Sequence, residues 1–345
     1  MTLNGASINE LERLFQDLGE AKFRALQAFR WINRHQADNF DEFSDFSKSL
    51  RERLKELPLL PKLKILGSEK DKDGTEKYLF EVPPLSERAQ PRQIEAVWIV
   101  ADNRRTICIS SQIGCTLNCT FCATGTLPFY GNLPAWAIVD QVYAIMRHRS
   151  ERPTNIVFMG MGEPFHNYQN VIKAARILHH PEGMHLGASH ITISTAGVIP
   201  SIEKYIHDKE PFNLAISLNH PDPAGRLAIM DVTKKHPLDK LLKTLRQYTR
   251  ERDRKITFEY VMIPDQNMDR DAVQKLIKLA RSVRCKINLI PLNTTLGGMR
   301  RPSMQEADEF YQALLDAGLT VFNRGSPGRN VNAACGMLAL QAGGH

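Results

Sequence analysis

The stretch Thr106-Ile107-Cys108-Ile109-Ser110-Ser111-Gln112-Ile113-Gly114-Cys115-Thr116-Leu117-Asn118-Cys119-Thr120-Phe121-Cys122 decides how the rest of the chain is read. Residues 106–111 have the apolar content of a strand, and Gly114 and Asn118 then mark a polar turn. That turn carries C-x3-C-x2-C. Such a loop can wrap three thiolates around one small group, and soft thiolates favour iron–sulfur or zinc. A four-iron cluster usually takes four cysteines, so three leave one iron open to a substrate or cofactor. The alternative is a zinc knuckle with a fourth ligand from Cys108 or a histidine, although none of the eleven histidines stands at finger spacing after Cys122.

Downstream of the cysteine loop, strands and helices alternate. Strands are expected near 106–111, 154–159, 190–195, 212–218, 255–262 and 286–291, with another near 319–323. Helices are expected near 134–149, 168–179, 199–208, 237–251, 269–282 and 304–317. Most of the strands are apolar with little alternation, as in a parallel sheet buried on both faces. The pattern of six or so β/α units predicts an α/β fold over residues 106–340, an open or closed barrel.

Upstream the character changes. Ile8, Leu11, Leu14, Phe15 and Leu18 recur at helical spacing, as do Phe23, Leu26, Phe29, Trp31 and Ile32, and Ser44 and Ser47 are candidate caps. Residues 1–60 therefore read as a small helical unit. Residues 61–105 read as a β-hairpin extension: Lys64–Leu66 and Lys77–Glu81 flank Asp73-Gly74, followed by a strand at Ile94–Val100 and a polar turn at Ala101–Arg105.

In a barrel the chemistry gathers at the C-terminal ends of the strands. The unusual residues fall there: Cys115–Cys122, Gly160–Pro164, Ser194-Thr195, Ser217–Asn219 and Asn293. The run Gly160-Met161-Gly162-Glu163-Pro164 is not a dinucleotide fingerprint, because Phe165 stands where the last glycine is needed.

Composition narrows the class. Among 345 residues, 24% are charged and 42% hydrophobic, which excludes wholesale disorder. No apolar run reaches the ~18–20 residues of a membrane span, and Met1–Gly5 lacks the basic start of a secretory signal, so a cytoplasmic protein without a membrane partner is expected. Six cysteines are too few for a disulfide scaffold at this length. Lys and Arg exceed Asp and Glu by 45 − 38 = 7, a balance compatible with a nucleic acid.

The cysteine motif, with an aromatic before its last cysteine, resembles the radical S-adenosylmethionine superfamily. More narrowly, the chain resembles the RlmN/Cfr family of RNA adenosine methyltransferases. The resemblance is carried by Ile94-Glu95-Ala96-Val97, Cys108–Cys115, Phe158–Pro164, Ile193–Gly197, Ala215–Leu218 and Asn332-Ala333-Ala334-Cys335-Gly336. The chain departs from the usual pattern at Met337, Asn219 and Asn330-Val331-Asn332.

The resemblance implies that the barrel is a partial (β/α)6 TIM-like one, with a [4Fe-4S] cluster on Cys115, Cys119 and Cys122, and S-adenosylmethionine held by Gly162, Glu163, Ser194, Ser217, Leu218, Asn219 and Asn293. It also implies that Cys335 takes a methyl group from one S-adenosylmethionine, while the cluster cleaves a second to a 5′-deoxyadenosyl radical. The radical removes hydrogen from the S-methyl group, and the methylene radical adds to adenine. Glu95 then accepts the ring proton, and Cys108 resolves the covalent link by forming a disulfide with Cys335. The implied substrate is adenosine C2 of 23S rRNA, with tRNA as a further candidate. Its rivals are C8 of the same base and a non-catalytic zinc-binding RNA module. A flavodoxin or ferredoxin as electron donor and a monomeric state complete the expectation. The helical N-terminus and the basic pairs Arg104-Arg105, Lys234-Lys235 and Arg300-Arg301, with Arg324 and Arg329, are the candidate RNA contacts.

Overall fold

The computed structural model describes residues 2–57, 59–293 and 296–339. Three helices come first: α1 (Ile8–Asp17), α2 (Phe23–Asn33) and α3 (Lys48–Lys55). A capping box starts α1, in which Ser7 and Glu10 satisfy each other's backbone. Ser47 caps α3 as expected, whereas Ser44 lies in the turn ahead of it. Phe43 and Phe15 both meet Phe46 edge to face, and these rings join the hydrophobic core that runs on into the sheet.

One ten-stranded sheet follows. It begins with β1 (Lys64–Lys70), β2 (Glu76–Val82), β3 (Arg92–Ala101) and β4 (Arg104–Cys108). After a small separate ladder of β5 (Gln112–Ile113) and β6 (Gly131–Asn132), it continues through β7 (Asn155–Phe158), β8 (Ile191–Thr195) and β9 (Asn213–Ser217). It ends with β10 (Ile256–Met262), β11 (Cys285–Pro291) and β12 (Val321–Asn323). The order is β1-β2-β3-β4-β7-β8-β9-β10-β11-β12. Neighbours from β1 to β4 are antiparallel, and every pair from β4 onward is parallel.

The crossovers are α4 (Ala135–Arg149), α5 (Tyr168–His179), α6 (Ile199–His207), α7 (Pro223–Ile229), α8 (Leu238–Glu251), α9 (Arg270–Arg281) and α10 (Met304–Asp316). Six β/α units therefore form the partial barrel, with β1–β3 extending one edge. Among the described residues the sheet does not close, and β1 and β12 are its two outer strands. Two elements differ from expectation: α7 and the β5–β6 ladder are too short to show a period. The β3–β4 turn is also tighter than 101–105, because Ala101 pairs with Arg104.

Helix α4 is buried on every side from Ala135 to Met146, with Asp140 and Gln141 enclosed among its apolar residues. It lies between the sheet and the N-terminal helices. Tyr143 donates to Asn33 Oδ1 (3.2 Å) and Asp140 accepts the Leu63 N–H (2.7 Å). Among the described residues no helix is long and apolar enough to cross a membrane.

Candidate active site

The C-terminal ends of the parallel strands open on one cavity, and the thiol loop forms a wall of it. Cys115, Cys119 and Cys122 all line it. The loop's path is set by Gly114 at φ +77°, where a Cβ would lie 2.0 Å from the Pro128 carbonyl oxygen. Within the loop Cys122 N–H donates to Cys119 O (3.1 Å) and Leu117 N–H points at Cys115 Sγ (3.4 Å). Burial pushes all three thiols up, Cys115 to about 12. Three thiols in such a setting ionise only against a strong positive charge, which a bound iron cluster provides. Among the described residues no three Cys, His, Asp or Glu side chains group as ligands of a single metal ion. Three soft thiolate donors on one wall suit an iron–sulfur cluster.

The other walls come from the next strand ends. Gly162 has φ +102°, and a Cβ there would fall 2.6 Å from Gln112 Cβ, so only glycine fits the turn after β7. The turn presents Glu163, which is buried. Its carboxylate accepts the N–H of Phe165 (2.8 Å) and of Ala196 (2.7 Å). Burial raises its pKa, and those N–H groups act against the rise. A buried carboxylate held by two amides is a fixed partner for an ammonium group.

Ser194, Ser217, Asn219 and Asn293 line the same cavity. Leu218 does not: it is fully buried in the main hydrophobic core, on the opposite face of the chain from Ser217. Asn219 holds a left-handed backbone (φ +57°), which asparagine tolerates better than most residues. Its Oδ1 accepts the Val261 N–H at 3.0 Å.

Sequence reasoning does not find two further residues of the site. Arg226, fully buried on α7, donates to Ala196 O (2.5 Å), Ser217 O (3.2 Å), Leu218 O (3.1 Å) and Thr233 Oγ1 (2.7 Å). It ties the ends of β8 and β9 together, and burial lowers its pKa to about 10. Glu259, on β10, also lines the cavity. Its Oε1 accepts from Asn288 (2.9 Å), while Oε2 has no hydrogen-bond partner among the described residues and stands 4.0 Å from Arg324 Nη1. The only sequence signal for it is a carboxylate inside an apolar strand.

Cys335 lines this cavity and also a second, adjoining one that contains Cys108 and Arg324. Cys108 is buried, which pushes its thiol up to about 12 against the opposing Arg324 guanidinium, whereas Cys335 is exposed. They are free, so the implied disulfide between them is not present here. Asn293 donates to Cys335 O at 3.2 Å and accepts from Arg301 Nη1 at 2.5 Å. Glu95 is placed apart. It lines neither cavity, is buried, and has Oε1 3.2 Å from the ammonium of Lys77, which is also buried and lies 3.6 Å from Glu69. The register pairs Val97 with Cys108, which sets Glu95 diagonally across β3–β4 on the face of Cys108.

Comparison with known proteins agrees with this layout. Residues 109–280 match the family model of the radical SAM superfamily, and residues 1–59 match that of the ribosomal RNA large subunit methyltransferase N-terminal domain. A probable dual-specificity RNA methyltransferase RlmN of Leptospira interrogans is 50% identical over 99% of this chain and 96% of its own length. The dual-specificity RNA methyltransferase RlmN of Geobacter sulfurreducens is 40% identical over 97% of this chain and 91% of its own. A crystal structure of a radical SAM methyltransferase from Sphaerobacter thermophilus superposes with a TM-score of 0.90 at 37% identity, covering 98% of this chain and 99% of that one.

Proposed function

The chain belongs to the RlmN family of radical S-adenosylmethionine RNA methyltransferases, and from that premise we propose that it methylates C2 of adenosine in 23S ribosomal RNA and in tRNA by way of a methyl group carried on Cys335. The observation that carries the reading is the position of Cys335. It borders both the cavity of the three cluster cysteines and the cavity of Cys108.

Cys115, Cys119 and Cys122 would hold a four-iron cluster, which when bound would supply the single electron for reductive cleavage of S-adenosylmethionine. Gly162, Glu163, Ser194, Ser217, Asn219 and Asn293 are the residues proposed to seat that molecule, with Glu163 facing its ammonium. Cys335 Sγ loses its proton and bonds to the methyl carbon as S-adenosylhomocysteine leaves. The S-methyl group would give a hydrogen atom to the 5′-deoxyadenosyl radical, its carbon would bond to the adenine ring, and the adduct would return one electron to the cluster while Glu95 takes the ring proton. Cys108 Sγ then attacks Cys335 Sγ: a sulfur–sulfur bond forms, the sulfur–carbon bond breaks, and the electron pair stays with the carbon, which is protonated to a methyl group. A dithiol reductant returns both cysteines to the free state seen here. The helical N-terminus and the basic loops are proposed to grip the RNA backbone, and the target base is flipped out of its stack to reach the thiol.

Mass spectrometry of ribosomal and transfer RNA adenosines from cells with and without the gene tests the assignment. Loss of 2-methyladenosine from both RNAs is expected. Loss of 8-methyladenosine instead would replace C2 by C8, and unchanged RNA would overturn the reading. In vitro, Cys108→Ala is expected to accumulate a covalent RNA–protein adduct that Cys335→Ala does not form.

A further inference from the structure

Cys335 sits on a loop that follows the last strand, β12, and has no sheet of its own to rest on. On one side that loop is tied to the cluster loop: Ala123 N–H donates to Gly336 O (2.8 Å) and Thr124 Oγ1 to Leu338 O (2.6 Å). On the other side it is tied to the turn between β1 and β2. Gly328 N–H donates to Asp73 Oδ2 (2.9 Å), and Asn330 donates through its backbone to Asp71 Oδ2 (3.1 Å) and through its amide to Asp71 Oδ1 (2.9 Å). The residues joined by this second attachment lie 255 and 259 positions apart, from opposite edges of the sheet.

The fit at the second attachment is close. Gly328 is left-handed (φ +71°), and a Cβ on it would lie 2.5 Å from Thr75 Cγ2. Its carbonyl accepts the Ala333 N–H (2.8 Å), so the constraint is carried to within two residues of the thiol. The turn itself is pre-formed, because Asp73 Oδ1 accepts the Thr75 N–H (2.8 Å) and Asp71 Oδ1 accepts the Lys72 N–H (2.6 Å). The Asn330 amide holds the Asp71 carboxyl below the usual carboxylate range.

Resting on the reading of Cys335 as the methyl-carrying thiol, we propose that Asp71 and Asp73 are positioning residues: the β1–β2 turn is a latch that fixes the Cys335 loop between its two cavities. A thiol that must first face S-adenosylmethionine and later face a base and Cys108 needs its loop held at both ends. Without the latch the thiol keeps its neighbour Gly336 on the cluster loop but loses its second fixed point. Misplacement on the scale of about 1 Å costs roughly 10²-fold in rate for a reaction of this kind. The particular pair matters, since Asn330→Asp would set one carboxylate against another at Asp71.

The test uses the reconstituted full-length enzyme with Asp71→Ala, Asn330→Asp and the exchanged pair Asp71→Asn/Asn330→Asp. S-Methylation of Cys335 is read by peptide mass in a single turnover, and RNA methylation in multiple turnovers. Both single variants are expected to slow Cys335 methylation tenfold or more. Iron content stays unchanged, because the substituted residues line neither cavity. The exchanged pair restores most of the rate, as the amide and the carboxylate have then traded places and one still donates to the other. Single variants that methylate Cys335 at the wild-type rate, or an exchanged pair no better than either single variant, would overturn the latch. So would loss of iron alongside rate, which marks a merely structural role. Cys335→Ala in the same assay separates the two readings: if it still methylates RNA, the thiol assignment fails whatever the Asp71 variants do.

Discussion

The cluster loop and the Cys335 loop meet at the same cavity but are built in opposite ways. The first leaves the end of β4 and folds on itself within the barrel's own frame, with Gly114 pressed against Pro128 and Thr120 N–H on Ile229 O. The second comes after β12 and takes its shape from side chains elsewhere: Asp71, Asp73, Thr124 and Asn293. Where electrons must arrive, the fold supplies rigidity. Where a carbon must be carried from one cavity to another, it supplies tethers.

The sharpest way to break this contrast is to remove one thiol from each loop. Cys119→Ala is expected to lose iron, release no 5′-deoxyadenosine and methylate no RNA. Cys335→Ala should keep its iron and still cleave S-adenosylmethionine, yet fail at RNA by ~100-fold or more. Iron and sulfide content beside product yield decides it; equal iron loss in both would erase the distinction.

Next in size is the frame beneath the cavity. Arg226→Met leaves the carbonyls of Ala196, Ser217 and Leu218 without their donor. It is expected to cost about 3–5 kcal/mol in chemical denaturation and to weaken S-adenosylmethionine binding.

Glycine substitutions compare the loops directly. Gly114→Ala drives a Cβ to 2.0 Å from a backbone oxygen, whereas at Gly336 (φ +79°) the nearest atom is 3.4 Å away. The first is expected to destabilise by about 3 kcal/mol or more, the second only by the ~1–2 kcal/mol of its left-handed backbone. Thermal unfolding of the two variants reads the difference.

The smallest effect is in pH. Cys108 titrates near 12 when folded, against 9.0 for an ordinary thiol. Below pH 9 it is neutral in both states. Between 9 and 12 the unfolded chain ionises first, so stability falls as pH rises, by up to about 1.4 kcal/mol per unit. Urea midpoints at about pH 8 and 10 should converge in Cys108→Ala relative to wild type.

Much of this is legible in the chain. The parallel strands announce themselves because residues buried on both faces, as in Leu214–Ile216, leave little polar alternation, and the thiol spacing fixes a loop without reference to the fold. Other parts are not. Helix α7, with Pro223 and Gly225 in seven residues, has no helical period, so Arg226 reads as a surface charge. Strand alternation places Leu218 away from the cavity that Ser217 faces, and it outweighs the place of Leu218 in the motif. Glu95 and Glu259 give the same local signal, a carboxylate in an apolar strand. Only one of them lines the site, because the neighbour each finds across the sheet decides. The Asp71–Asn330 contact spans 259 positions, beyond any periodicity.

Among the described residues the sheet ends at β1 and β12, yet Asp71 and Asp73 stitch the two edges together through Asn330 and Gly328. The seam of the barrel is therefore sewn with three hydrogen bonds where every other junction between neighbouring strands has a ladder.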